Sequence, residues 1–346
     1  MGLMGGGNIS NTHARAANAI PNVEIAAVYG INPEKVSRLC REYGGTPYGD
    51  FDAFLAHRPM EIVIIGSPSG LHAQQGIAAA SHGLHVLVEK PIDISAGKAG
   101  SLIAACEKAG VKLGVIFQDR FKPEILRLQQ FIQDGILGRL LLVDARVKWY
   151  RPPEYYRHSR WRGTWGLDGG GALMNQGVHT VDLLLWLLGD VVEVQARTAT
   201  VLHSIETEDT ALALLEFSNG ALATLQATTA AYPGYSRRLE ITGSEGTVVL
   251  ENDRMIAADL RKQYQGLVGM EPQPDDQSLS ASSPVVNDVR GHQSAIEDFI
   301  RAVAKDETPA CDGRAAQRSV ALIERIYQAS QQFRNYRNPE LVIPHP

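Results

Sequence analysis

Gly2-Leu3-Met4-Gly5-Gly6-Gly7-Asn8-Ile9-Ser10 opens the chain, and its reading decides the first half of the fold. A short apolar run enters three glycines, and a helical pattern follows over Asn11–Ala19. Glycines permit a tight turn and let backbone N–H groups approach a pyrophosphate at a helix N-terminus. The spacing G-x-G-x-x-G/A holds at Gly5 and Gly7, with Ser10 at the third position. The bland alternative is a glycine turn that only joins strand to helix. The strand–turn–helix context favours dinucleotide binding, with Gly5, Gly7, Asn8 and Ile9 as the cradle. The first strand is unusually short, which reads as a frayed domain edge or as a few residues missing before Met1.

Outward from this turn, short apolar runs alternate with helical patterns. The runs are Val23–Tyr29, Ile62–Ile65, His85–Glu89 and Lys112–Phe117; the helical segments are Asn32–Tyr43, Leu71–His82 and Ser95–Ala109. This rhythm predicts a doubly wound parallel sheet covered by helices on both faces over residues 1–120. Ile62–Ile65 is apolar without alternation, as a strand buried on both sides requires.

From residue 121 to 346 the pattern changes. A helix over Pro123–Asp134 precedes strand-like runs at Leu140–Tyr150, Val191–Leu202, Ala211–Phe217, Ala221–Thr229, Arg238–Thr242 and Thr247–Glu251. Ser218-Asn219-Gly220 and Gly243–Gly246 are hairpin signals. They predict an α+β domain with a large, open, mainly antiparallel sheet, one face on helices and one free to bind another copy of the chain as a homodimer or homotetramer. Residues 263–291 read as a long surface loop, disordered or lid-forming. Two helices, Gln293–Lys305 and Arg314–Gln332, close the chain.

Composition limits the function. With 346 residues, two domains are favoured over one. A net charge of −5 provides no broad basic field for nucleic acid or an anionic membrane. Three cysteines without CxxC spacing support neither zinc nor a disulfide framework, so no metal and a reducing cytoplasm are expected. Cys106 reads as a small buried residue on a helix.

The strand ends carry the chemistry. In an open parallel sheet, ligands lie at the carboxyl ends of the strands. That places Ser67, Pro68 and His72 beside the cofactor, although a single histidine there is more often a packing residue. Glu89-Lys90-Pro91 ends the next strand and projects Lys90 into the same crevice; the alternative is a surface salt bridge. At the end of the second strand, where an acid would bind the adenosine ribose, stands Gly30. No carboxylate repels a 2′-phosphate, and Lys35 and Arg38 could attract one, so the balance leans to NADP. The opposing reading is NAD held through Asn32.

Gly169-Gly170-Gly171 precedes an apolar helix ending at Gly189. On it Asn175, His179, Asp182 and Trp186 form one polar stripe, which predicts an internal cleft. The alternatives are a core histidine bonded to Asp182, or a metal held by His179 and Asp182 that lacks a third ligand. Around this helix lie Tyr150, Arg151, Tyr155, Arg160, Trp161, Arg162 and Trp165. Aromatic faces stack on sugar rings and arginines grip hydroxyls or carboxylates. A connecting loop or a subunit contact is the plainer alternative.

Together Gly5–Ser10, Ser67–His72, Glu89-Lys90-Pro91, Gln118-Asp119-Arg120-Phe121 and Gly169–Gly189 resemble the Gfo/Idh/MocA oxidoreductase family over nearly the whole chain. The resemblance implies an N-terminal Rossmann domain and hydride transfer between NAD(P) and a secondary alcohol of a sugar, cyclitol or glycoside. It implies that Lys90 lies near both nicotinamide and substrate, that His179 is the general base, and that Glu89 and Gln118 line the cofactor site. Arg120, Tyr150, Trp161, Arg162 and Asn175 join Lys90 and His179 as candidate substrate contacts. Many relatives carry Asp where this chain has Asn175, a residue that orients a hydroxyl but cannot relay a proton. Two other functions stand as alternatives: a glycosidase that oxidises its sugar transiently with NAD, and a non-catalytic nucleotide-binding regulator.

Overall fold

The computed structural model describes residues 1–262 and 288–335; most of the 263–291 segment lies outside them. The N-terminal half runs β1 (Gly2–Met4), α1 (Asn8–Asn18), β2 (Ala27–Tyr29), α2 (Pro33–Tyr43), β3 (Thr46–Tyr48), α3 (Phe51–Leu55), β4 (Ile62–Ile65), α4 (His72–Ser81), β5 (His85–Glu89), α5 (Ala96–Ala109) and β6 (Leu113–Ile116). The six strands form one parallel sheet in the order β3-β2-β1-β4-β5-β6. β1 is therefore no frayed edge. It is three residues long, yet buried and paired on both sides, with Leu3 opposite Val28 and Ile64. Central position, not length, stabilises it.

Local chemistry sets the helix ends. The Asn32 side chain accepts from Lys35 N at 3.0 Å and Pro33 takes the first turn of α2. Ser95 caps α5, and Gly110 stops it in the left-handed conformation, φ +68°. Cys106 is buried on α5, and all three cysteines are free thiols.

A 3₁₀ turn (Gln118–Phe121) leads into α6 (Pro123–Gln133), β7 (Leu140–Lys148) and α7 (Pro153–Arg157). A π-helical turn (Ala172–Gly177) runs into α8 (Val178–Leu188), then β8 (Val191–Ala199), β9 (Thr210–Phe217), β10 (Leu222–Thr228), β11 (Arg238–Gly243), β12 (Gly246–Glu251) and β13 (Arg254–Leu260). The seven strands form the second sheet in the order β13-β12-β11-β7-β10-β9-β8. Its neighbours are antiparallel except β10 beside β7. Alternate residues of β9 are buried and exposed, so one face packs inward and the other is open.

Two last helices return to the first sheet. α9 (Arg290–Lys305) places Ala295, Ile296 and Phe299 in one core with Leu3, Val28, Ile64, Leu87 and Ile116. α10 (Gly313–Asn335) packs on α5, α8 and β8. The two halves thus share helices, which fixes the crevice between them. Among the described residues no helix is long and apolar enough to cross a membrane.

Candidate active site

Strand order reverses between β1 and β4, so the turns leaving these strands flank the crevice. Gly5 has φ +120°, and a Cβ there would come within 2.8 Å of Gly66 O. At Gly7 a Cβ would meet nothing within 4 Å, so the turn opens outward above α1. No side chain caps α1, no acid lies in its first turn, and the buried Ser10 hydroxyl has no partner. These are the features a pyrophosphate needs: free N–H donors, the positive end of the helix and no repelling charge. Gly5, Gly7, Asn8 and Ile9 form this turn and are at least partly accessible.

Gly30 packs against the same turn: a Cβ there would meet Val36 Cγ2 at 2.9 Å and Gly6 N at 3.5 Å. A side chain there would press on Val36, and no carboxylate is present. Asn32 spends its side-chain oxygen on the α2 cap, while Lys35 and Arg38 are exposed.

Ser67 is half-buried and donates to Gln75 Oε1 at 2.6 Å, beside Pro68. His72 departs from the expectation of a cofactor contact. It is buried, with Nδ1 2.8 Å from Pro91 O and Nε2 2.9 Å from Ser67 O. It ties the turns after β4 and β5 together. Burial, the largest influence, lowers its pKa against the pull of the two carbonyls.

Glu89 also departs from its expected role. Its carboxylate is buried, accepting from Lys90 N at 3.0 Å and meeting His13 Nε2 at 2.8 Å, with His292 Nε2 3.7 Å away. Burial alone would raise its pKa; the two histidines and Lys90 outweigh this and hold it at about 2. Glu89 braces the strand end from behind. Gln118 is half-buried at the start of the 3₁₀ turn, and its Oε1 is sealed without a partner.

Lys90 is where the two halves meet. Its Nζ donates to Asn175 O at 2.9 Å, across 85 residues of sequence. Burial lowers its pKa, opposed by Glu89, Asp168 and Asp119. Asn175 sits in the π-helical turn, and its Nδ2 donates to Asp168 Oδ1 at 2.7 Å. One turn further on, His179 is buried with its ring edge-on to Phe117. Burial first, then Lys90 and Arg237, push its pKa down to about 3; Asp119, 3.7 Å from Nδ1, pulls the other way.

The glycines before this turn are required by contact. A Cβ on Gly171 would lie 1.7 Å from Glu208 O, and one on Gly170 would lie 2.1 Å from the Tyr327 hydroxyl. Glu208 accepts from Gly171 N and Leu173 N at 3.0 and 2.8 Å, and from Tyr327 at 3.0 Å.

The polar stripe does not hold along its whole length. The π turn changes the helical phase between Asn175 and His179, and the next two members face elsewhere. Asp182 is buried, accepting from Arg120 Nε at 2.7 Å and from Ser319, and Arg120 stacks over Trp186. Asp182 therefore neither bonds His179 nor shares a metal with it. Arg120 is committed to Asp182 and to Ala310 O, so it is a buried tie between elements and not a substrate contact.

Arg162 stacks over Tyr155 at 4.3 Å and Trp161 at 5.0 Å. Gln176 joins this group to Asn175 through Tyr155 Oη. Tyr150 packs edge-on to Tyr232 instead.

Sequence reasoning missed Asp168 and Asp119. Asp168 directly precedes the three glycines, a position that reads as an ordinary turn acid. Burial lifts its pKa to about 6. Asp119 lay inside a motif already singled out, and only its distance to His179 reveals it.

A doubly wound parallel sheet with a bare glycine turn at its switch point defines a nicotinamide-dependent oxidoreductase. The chain belongs to the Gfo/Idh/MocA family: residues 1–117 match the oxidoreductase family, NAD-binding Rossmann fold, and residues 125–249 match the GFO/IDH/MocA C-terminal domain. It is similar to the WlbA dehydrogenase of Bordetella pertussis, solved with NADH and UDP-GlcNAcA, at 32% identity and TM-score 0.85 over 96% of both chains. It is 27% identical to inositol 2-dehydrogenase of Rhizobium meliloti over 75% of this chain and 77% of that one. It is 28% identical to D-xylose 1-dehydrogenase (NADP(+)) 2 of Haloferax volcanii over 95% and 97%.

Proposed function

We propose that the protein oxidises or reduces a secondary alcohol carbon of a sugar, cyclitol or glycoside, with Lys90, Asn175 and His179 around the reacting group. The contact of Lys90 Nζ with Asn175 O carries this reading, because it brings a cation from the nucleotide sheet beside the buried histidine of the second domain. When bound at the glycine turn, the dinucleotide supplies the nicotinamide that exchanges a hydride with the substrate carbon. Lys90 then stabilises the alkoxide oxygen, His179 exchanges the hydroxyl proton and Asn175 orients the hydroxyl. A positioned base typically supplies about 10²–10⁴ in rate. Trp161 and Arg162, with Tyr155, offer a stacked surface for the ring beyond the reacting carbon.

NADP fits the adenosine end better than NAD. Gly30 leaves no acid to repel a 2′-phosphate, and Lys35 and Arg38 are exposed on the next helix. The open face of the second sheet carries Leu142, Leu212, Leu214 and Leu222, each more than half exposed. Burial of that face makes the protein a homodimer or homotetramer.

The test measures nicotinamide reduction with NAD⁺ and NADP⁺ against UDP-GlcNAcA, myo-inositol and D-xylose. Lys90→Ala and His179→Ala are expected to keep dinucleotide affinity and lose turnover. Unchanged turnover in both variants overturns the assignment.

A further inference from the structure

His179 presents a difficulty of its own. Its Nδ1 is buried with no hydrogen-bond partner. A base held far below neutral pH accepts a proton poorly, so something in the site has to favour the imidazolium. Asn175, one turn earlier, does not: its amide is turned to Asp168 and Gln176, and it carries no charge.

Four charged groups face His179, from three places. Lys90 and Glu89 end β5, Asp119 lies in the 3₁₀ turn, and Arg237 precedes β11. Lys90 and Arg237 oppose the imidazolium. Glu89 is turned to His13 and to the Lys90 backbone. Asp119 Oδ2 stands 3.7 Å from Nδ1, a few tenths of an ångström beyond a hydrogen bond. Phe117, two residues before it, packs edge-on to the imidazole and sets the ring plane. Two cations hold the carboxylate: Arg237 at 2.7 Å and Lys122 at 2.7 Å. They keep it ionised, well below the usual carboxylate range.

We propose that Asp119 is the positioning residue for His179, selecting the tautomer that carries its proton on Nδ1 and leaving Nε2 to accept the proton of the substrate hydroxyl. Asp119 takes no proton itself. It offsets the charge that appears on the imidazole when Nε2 is protonated and gives that support up when the proton leaves. In this chain the acid next to the histidine comes from the turn after β6, where the helix itself supplies Asn175. The proposal rests on His179 being the base.

A purely structural role is the competitor, because Asp119 also joins Lys122 and Arg237 to Asp253. Asp253→Asn breaks the same cluster without touching His179 and separates the two. The experiment labels the full-length chain with ¹⁵N in its ten histidine rings and assigns His179 by its loss in His179→Gln. The expected wild-type spectrum at pH 7.5 shows a dominant Nδ1–H form. Asp119→Asn is expected to lose that preference, and Asp253→Asn to keep it. A dominant Nε2–H form in the wild type overturns the proposal even if the amide variant fails to fold. So does an unchanged tautomer in Asp119→Asn, or an equal change in both variants. With whichever panel sugar is turned over, Asp119→Asn is expected to lower kcat by about 10²-fold, within the usual range for impaired proton transfer, while KM stays nearly constant. Turnover surviving His179→Ala removes the base assignment and leaves the tautomer result standing, so the two failures are distinguishable.

Discussion

At the residue scale, two glycines of similar appearance have opposite roles. A Cβ at Gly7 meets nothing, so Gly7→Ala is expected to cost no more than about 1 kcal/mol, that of a poorer N-cap, and to weaken dinucleotide binding by crowding the open turn. A Cβ at Gly171 would overlap Glu208 O, and Gly171→Ala is expected to lower stability by about 1–3 kcal/mol through forced backbone movement. Calorimetry beside dinucleotide titration separates the two; a Gly7→Ala protein that binds normally sinks the cradle assignment. Asp168 adds a pH signature. Burial raises its carboxyl from 3.8 to about 6. A group with a raised folded pKa contributes stability below its unfolded value, near pH 4, and loses it as pH rises through about 6. Two pKa units correspond to about 3 kcal/mol. Asp168→Asn is therefore expected to flatten the stability profile between pH 4 and 7. Urea unfolding at the two ends of that window checks this, and an unchanged slope contradicts it.

At the element scale, the elements whose periodicity comes from burial were legible in the sequence. Ile62–Ile65, the β9–β10 hairpin marked by Gly220 and the apolar helix ending at Gly189 all lie where patterning puts them. β3 and β13 were missed. β3 carries Pro47 and is largely exposed, and β13 buries only Met255, so neither displays a clean alternation. The π turn at Ala172–Gly177 was invisible for a different reason. It is imposed by Glu208, which lies more than thirty residues away and bonds the Gly171 and Leu173 amides. Reading a regular helix through it merged two groups with different tasks, His179 at the crevice and Asp182 beside Arg120. That buried pair ties the 3₁₀ turn to α8. Arg120→Ala leaves Asp182 buried without its cation, with only the Ser319 hydroxyl beside it, and is expected to cost about 3–5 kcal/mol. The double change Arg120→Met with Asp182→Leu is expected to cost far less, since no buried charge is left unpaired. Equal losses in the single and double variants reject the ion-pair explanation.

At the scale of the whole molecule, α9 and α10 decide how the crevice is held. Both follow the second sheet in sequence; α9 packs on the first sheet, while α10 lies against α5 of the first domain and α8 and β8 of the second, so the glycine turn and the Asn175–His179 turn belong to one continuous structure. Sequence patterning located these helices but not their return, because an apolar helical face does not name the surface it will cover. The open sheet face poses the same question, and no described residue covers it. Leu212 and Leu214 lie on the exposed side of β9, Leu222 follows on β10, and Leu142 is its register partner on β7. Four exposed leucines on three adjoining strands make an apolar patch, and the proposed assembly pairs it with its own copy across a two-fold axis. Leu214→Arg combined with Leu222→Arg sets like charges against each other across that axis. The double variant is expected to sediment as a monomer at concentrations where the wild type is a dimer or tetramer. Its own fold is expected to hold, because exposed positions away from caps and cores usually change stability by within about 0.5 kcal/mol. A wild type that sediments as a monomer, or a double variant that keeps the wild-type assembly, rejects this face as the interface.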